Sequence, residues 1–203
     1  MIVATGHGRS EVWVSRLRSK SWNRVGDIPY GISDIDLCVK PLNGIIHGVR
    51  NYKVIVSVDI VEERTKELQI PSRCLEEKAT SGYDYMEVGV LGDELYLLVN
   101  PRHQGNIDLW VMKDYGVVDS WTKIITISEY QTGFEKLTPL GYLKNGEILL
   151  KGERLTSKDS LVLYDPKIGR LVTLDTPGMP EYFRAATLVG SLFSLYSGVF
   201  VKD

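Results

Sequence analysis

Three histidines, two cysteines and a recurrent aspartate are the side chains through which this chain of 203 residues could do chemistry. His7, His47 and His103 could act as bases or metal ligands, but no two share a short spacing, and neither Cys38 nor Cys74 has a histidine at zinc-finger distance. His47 follows an Asn-Gly turn on a strand-like run and reads as a packed, hydrogen-bonded residue. His103, between Asn100 and Asn106, reads as solvated or partner-touching. Asp59, Asp114 and Asp165 each follow an apolar run at an equivalent place, which argues for a repeated turn role, an Asx hydrogen bond, rather than for catalysis. No nucleophile elbow, phosphate-binding loop or dinucleotide fingerprint is present, and Gly6-His7-Gly8 is too little to cradle a phosphate. Trp110, Met112 and Trp121 stand at alternating positions and read as core rather than as a recognition stripe. The residues therefore point to no catalytic, cofactor or metal site.

The elements that hold these residues are those of an ordinary folded protein. Hydrophobic residues make up 43% of the chain and charged ones 25%, and 24 Lys and Arg against 26 Asp and Glu leave a formal charge of −2. That balance lacks the basic excess a nucleic-acid binder needs. The two cysteines lie 36 positions apart with no CxxC, which favours a reducing compartment, cytoplasmic or nuclear. The opening MIVATGHGRSEVW meets charge too early for a secretory signal. Ala185 to Val201 carries no charge, yet its 17 residues include serines and glycines and are short for a spanning helix; two core strands fit better, and no membrane partner is expected.

Short β-rich runs recur between turns, and they resemble one another. Val12 to Val25, Val54 to Pro71, Asp108 to Ile127 and Ser160 to Pro177 each read as strand, polar turn and second strand, closing on Trp22, Leu68, Trp121 or Val172. Three are preceded by a glycine-opened strand at Gly44, Gly92 and Gly146, at intervals of 48 and 54 residues. A period near fifty with three or four strands per unit is that of a kelch-type β-propeller blade, each covered by its neighbours. The expected fold is all-β, a kelch-like propeller of about four blades, one domain over residues 1–203, and an incomplete ring. The glycines are expected to let inner strands approach the channel, and Trp22 and Trp121 to fill the gaps between blades. Arg73 to Thr80 is the one expected helical turn or charged surface loop.

Ile107 to Ile127, IDLWVMKDYGVVDSWTKIITI, resembles the signature of the F-box-associated domain of plant F-box proteins. Other motifs fall in that family's order: Arg18 to Trp22, Asn43-Gly44 with His47, Val58-Asp59, Leu91-Gly92, Leu163 to Asp165, and Ser191-Leu192. Two departures stand out: no F-box precedes the domain, and Gly48 replaces the tryptophan usual after the histidine. The resemblance implies a non-enzymatic interaction module, the substrate-recognition portion of a Skp-cullin-F-box ubiquitin ligase. Its partner would be a target protein, and the Skp adaptor would be reached only through an F-box absent here. An F-box-less form that occupies targets without delivering them, or a propeller enzyme, are the alternatives. Binding is expected on the longer irregular loops, Arg73 to Tyr85, Asn100 to Asn106, Gly152 to Lys158 and Met179 to Phe183, with Tyr83, Tyr85, Arg102 and His103 as the contact residues, since aromatics and arginine concentrate at hot spots.

Overall fold

The computed structural model describes residues 2–5, 10–15, 21–28, 35–75, 83–101, 105–128, 132–154 and 158–185. Strand pairing is antiparallel and runs between sequence neighbours. β1 (Ile2–Thr5), β2 (Ser10–Ser15) and β3 (Trp22–Ile28) form a three-stranded sheet. Three four-stranded meanders follow: β4 (Ile35–Leu42), β5 (Ile45–Arg50), β6 (Val54–Asp59) and β7 (Arg64–Gln69); β8 (Tyr83–Leu91), β9 (Glu94–Pro101), β10 (Asn106–Met112) and β11 (Trp121–Ser128); and β12 (Lys136–Tyr142), β13 (Ile148–Glu153), β14 (Ser160–Asp165) and β15 (Arg170–Thr173). The protein is all-β and built of propeller-type blades, as the repeat predicts.

A meander places its first and third turns at one end and its second turn at the other. Contacts between blades carry this polarity across the molecule. β8 lies beside both β4 and β12. Asn100, at the end of β9, donates from Nδ2 to the Glu135 carbonyl before β12, 2.8 Å away. Tyr142, at the far end of β12, rests on Gly92 in the β8–β9 turn. One rim, called the hairpin rim, thus gathers the first-to-second and third-to-fourth strand turns. The other, called here the entry rim, gathers the points where each blade is entered and the second-to-third strand loops.

Alternation along the strands builds the core. In the third blade, Met86, Val88, Val90, Leu95, Leu97 and Val99 face the second blade, together with Trp110, Met112 and Trp121. The intervening Tyr96, Leu98, Ile107, Leu109 and Val111 face the fourth. Each buried Val, Leu or Ile contributes roughly 1.5 to 3 kcal/mol relative to exposure. The strand pairs recognised from the repeat are β2–β3, β6–β7, β10–β11 and β14–β15. Each blade begins one strand earlier than the glycine openers suggest, at β4, β8 and β12.

That shift changes what the glycines do. Gly44, Gly92 and Gly146 have φ of +81°, +63° and +89°, and they sit in the turns joining first to second strands rather than against the channel. Close approach occurs instead at Gly89, where a Cβ would overlap the Tyr96 ring. Trp121 is 3% exposed, as predicted, whereas Trp22 is 40% exposed and fills no gap. Val172, expected to close the fourth unit, is likewise exposed. The Asx role holds at Asp59, whose carboxylate accepts from the Val61 and Glu62 amides, and at Asp165, which accepts from Lys167. In the turn at Asp114 the backbone carbonyl does this work, accepting from Val117 and Ser120. Ser72–Cys74 forms a single 3-10 turn, while residues 76–80 lie outside the described residues. So do residues 186–201, on which the expected terminal strands and the completeness of the ring depend. Among the described residues no helix is long and apolar enough to cross a membrane.

Candidate functional site

Where β8, β12 and β13 meet at the entry rim, the apolar alternation gives way to charge. Glu87 on β8, Lys136 and Thr138 on β12, and Lys151 and Glu153 on β13 line a cleft of about 700 Å³. Its remaining wall is the segment after β15, which crosses the rim and contributes Tyr182, Phe183 and Arg184. Asp159 fastens that segment: its amide donates to the Glu181 carbonyl at 2.7 Å, and its carboxylate accepts from the Phe183 amide at 3.1 Å.

Lys151 is the floor of the cleft. Its Nζ lies 2.9 Å from Asp159 and 3.0 Å from Glu153, with the Phe183 ring centroid at 5.4 Å. Burial alone would lower the pKa of this ammonium, but the two carboxylates outweigh it and hold the pKa above the ordinary lysine value. Burial would likewise raise that of Asp159; the Phe183 amide and Lys151 outweigh it, and the acid is held below the ordinary carboxylate value. On the opposite wall Glu87 accepts from the Tyr96 hydroxyl at 2.5 Å and pairs with Lys136 at 3.2 Å. The Arg154 guanidinium, 3.7 Å over the Phe134 ring, donates to Ser160 Oγ at 3.0 Å and braces the β13–β14 loop.

Three carboxylates converge here, yet each is matched by a lysine. A general acid needs a proton near neutral pH and hence a raised pKa. Asp159 is shifted in the opposite direction. Among the described residues no group of three or more His, Cys, Asp or Glu is placed to hold a metal. What the cleft offers is a graded set of donors and acceptors beside two exposed side chains, Tyr182 and Arg184, and Arg184 has no ion-pair partner among the described residues. That is equipment for recognising polar groups.

His47 is fully buried, as expected of a packed residue. Its Nε2 stands 2.9 Å from the Tyr115 hydroxyl of the next blade, the rings meet edge to face, and Nδ1 has no partner among the described residues. Burial lowers its pKa to about 4. Cys74 is buried too, and burial pushes its thiol up to about 12, which leaves it unreactive.

Of the residues singled out for binding, Tyr83 and Tyr85 lie on β8 opposite Pro101 and Asn100, across a register shift. The backbone thus places them at the entry rim; their side chains lie outside the described residues, as do Arg102 and His103 entirely. The loop Met179 to Phe183 does reach the rim, and Phe183 lines the cleft. The paired charges Glu87, Lys136, Lys151, Glu153 and Asp159 were not anticipated. Their signal was available: a lone lysine or glutamate at an inward position of an otherwise apolar strand, as in ILLKGE and YMEVGV.

No protein-family model matches the chain. Over 228 aligned positions it is 30% identical to the F-box protein At3g07870 of Arabidopsis thaliana, covering 92% of this chain and 51% of that one. It is 28% identical to the F-box protein CPR1 of the same plant, over 90% of this chain and 47% of that one. It is 30% identical to the F-box/kelch-repeat protein At3g23880, over 79% and 42%. The chain spans about half the length of the curated relatives it matches. Among solved structures, TolB from Acinetobacter baumannii overlaps 85% of this chain and 40% of its own, at a TM-score of 0.47 and 10% identity. YCF48 bound to D1 peptide overlaps 80% and 48%, at 0.45 and 17%. Those overlaps are too partial to add to the blade architecture, which rests on the strand pairing itself. With the signature block, the four sheets and these relatives in view, the chain is similar over most of its length to plant F-box proteins, and its blades are consistent with an F-box-associated, kelch-like domain.

Proposed function

We propose that the chain is the target-recognition part of a Skp-cullin-F-box ubiquitin ligase, that it makes and breaks no bond itself, and that the entry-rim cleft between the fourth blade and the segment after β15 receives the target. The observation that carries this reading is the cleft's chemistry: its carboxylates are each matched by a lysine, and its exposed groups are an aromatic and an arginine, the types that dominate protein interfaces. The kinship with F-box proteins supports the same reading. The Skp adaptor is a partner of the ligase, to be met through an F-box rather than through these blades.

The test is affinity purification of the chain from plant-cell extract with quantitative mass spectrometry, comparing the native sequence with Tyr182→Ala, Arg184→Glu. The double variant loses the specifically bound proteins while keeping its thermal midpoint, because both side chains are exposed. Retention of all of them would mean that the target binds elsewhere. A cleft that converted glycoside or ester substrates would instead favour a propeller enzyme.

A further inference from the structure

The family signature leaves one feature unused. It folds into the β10–β11 turn on the hairpin rim, opposite the cleft, where Val117 is exposed. Turn residues are ordinarily polar. Val61 in the β6–β7 turn and Ile168 in the β14–β15 turn are exposed there as well, each by more than half, and Leu143 adds a fourth apolar side chain after β12. Two tyrosines tie this rim together across blades: Tyr115 reaches His47, and Tyr142 lies on Gly92. Rim turns on three successive blades thus present apolar groups on a framework braced from beneath.

Charge says what could lie on them. Beside Leu143 the fourth blade's turn carries Lys144 with Glu147, while the turns of the second and third blades carry Asp59, Glu62, Glu63, Asp93, Glu94, Asp114 and Asp119 against Arg64 and Lys113. Both cations are engaged, Arg64 near Asp59 and Glu62, and Lys113 at 2.8 Å from Glu94. Asp93 and Asp114 are exposed and have no ion-pair partner among the described residues. We propose that the hairpin rim is a second docking surface, independent of the cleft, whose occupant is a protein segment alternating basic with apolar side chains. The apolar groups would seat on Val61, Val117 and Leu143, and the cations on Asp93 and Asp114. A long-range acidic field speeds the encounter, and burial of the apolar groups holds it.

The whole chain is titrated into two short fluorescent peptides at moderate salt, one alternating lysine with leucine and one alternating glutamate with leucine, and anisotropy is read. The lysine peptide binds and the glutamate peptide does not. Asp93→Lys with Asp114→Lys weakens the lysine peptide about tenfold or more and admits the glutamate peptide. Val117→Ser with Leu143→Ser weakens it comparably, and thermal midpoints are unchanged because all four side chains are exposed. Equal binding of the two peptides overturns the proposal. So does an equal loss from Tyr182→Ala with Arg184→Glu, which would place the peptide in the cleft. Self-association in light scattering that Val117→Ser with Leu143→Ser abolishes would assign the surface to a second copy and also overturn it.

Discussion

Between the second and third blades, Trp110, Met112 and Trp121 fill the gap, and Tyr115 reaches across to His47. Between the third and fourth, Tyr96 and Phe134 lie against glycines, and the charged cleft opens on the other face of the fourth sheet, where Lys136, Thr138, Lys151 and Glu153 alternate with Leu137, Leu150 and Gly152. The gap between the second and third blades is thus sealed, whereas the fourth sheet is a sealed wall on one side and a receptor wall on the other. What differs is small: Lys136, Lys151 and Glu153 on one face, with Glu87 and Asp159 beside them, where Leu137, Ile148 and Leu150 stand on the other. Burying a charge is costly unless a partner stays with it, so these groups come as pairs, and paired charges cannot pack as closely as leucines.

The largest effect that breaks this contrast is expected at the sealed side. Trp121→Ala removes a buried indole and should cost about 3 to 5 kcal/mol in chemical denaturation, whereas Trp22→Ala, at the equivalent strand position but exposed, should cost under about 0.5 kcal/mol. Comparable losses at the two would dissolve the distinction. Next comes acid. His47 has a folded pKa of about 4 against 6.5 when unfolded, so between these values the unfolded chain binds more protons and stability falls as pH falls. The contribution is intact above pH 6.5 and lost progressively down to pH 4, at most about 3 kcal/mol. Denaturation midpoints across that range should fall more steeply for the native sequence than for His47→Gln.

On the cleft side the effects are smaller. Gly89→Ala drives a methyl into the Tyr96 ring and should cost about 1 to 3 kcal/mol, partly recovered when Tyr96→Leu is added. Lys151→Ala strips Asp159 and Glu153 of their shared cation and should cost about 1 to 3 kcal/mol, with the loss shrinking in acid as Asp159 protonates. A loss that does not depend on pH would show that Lys151 matters for packing rather than for charge.

The outer strand pairs were legible because each follows one plan, an alternating strand and then an Asx or Gly turn. The inner strands were harder to read. β4 and β12 contain Pro41 and Pro139 and break register near them, which disguises their period of two. β8 opens on Tyr83-Asp84-Tyr85 with a register shift, and so reads as a loop until Met86. Trp22 and Trp121 occupy matching places in the repeat, but burial depends on what the neighbouring blade supplies, and a single strand's pattern does not contain that. The cleft was invisible for the same reason: Lys151 and Asp159 are ordinary charges in sequence, and only the fold makes one the floor and the other the fastening of a wall.

β9 has neighbours on every side. Its backbone is hydrogen-bonded to β8 on one edge and β10 on the other, and Leu95 through Val99 are buried in alternation against both adjoining blades. No amide along that stretch can meet solvent by fraying of an edge or by the lifting of one neighbouring blade. Its deuterium uptake therefore tracks cooperative opening of the whole assembly, while the short outermost β15 exchanges through local excursions. In kinetic terms β9 is the last strand to be released, and any partner seated at either rim acts on a body whose centre stays closed.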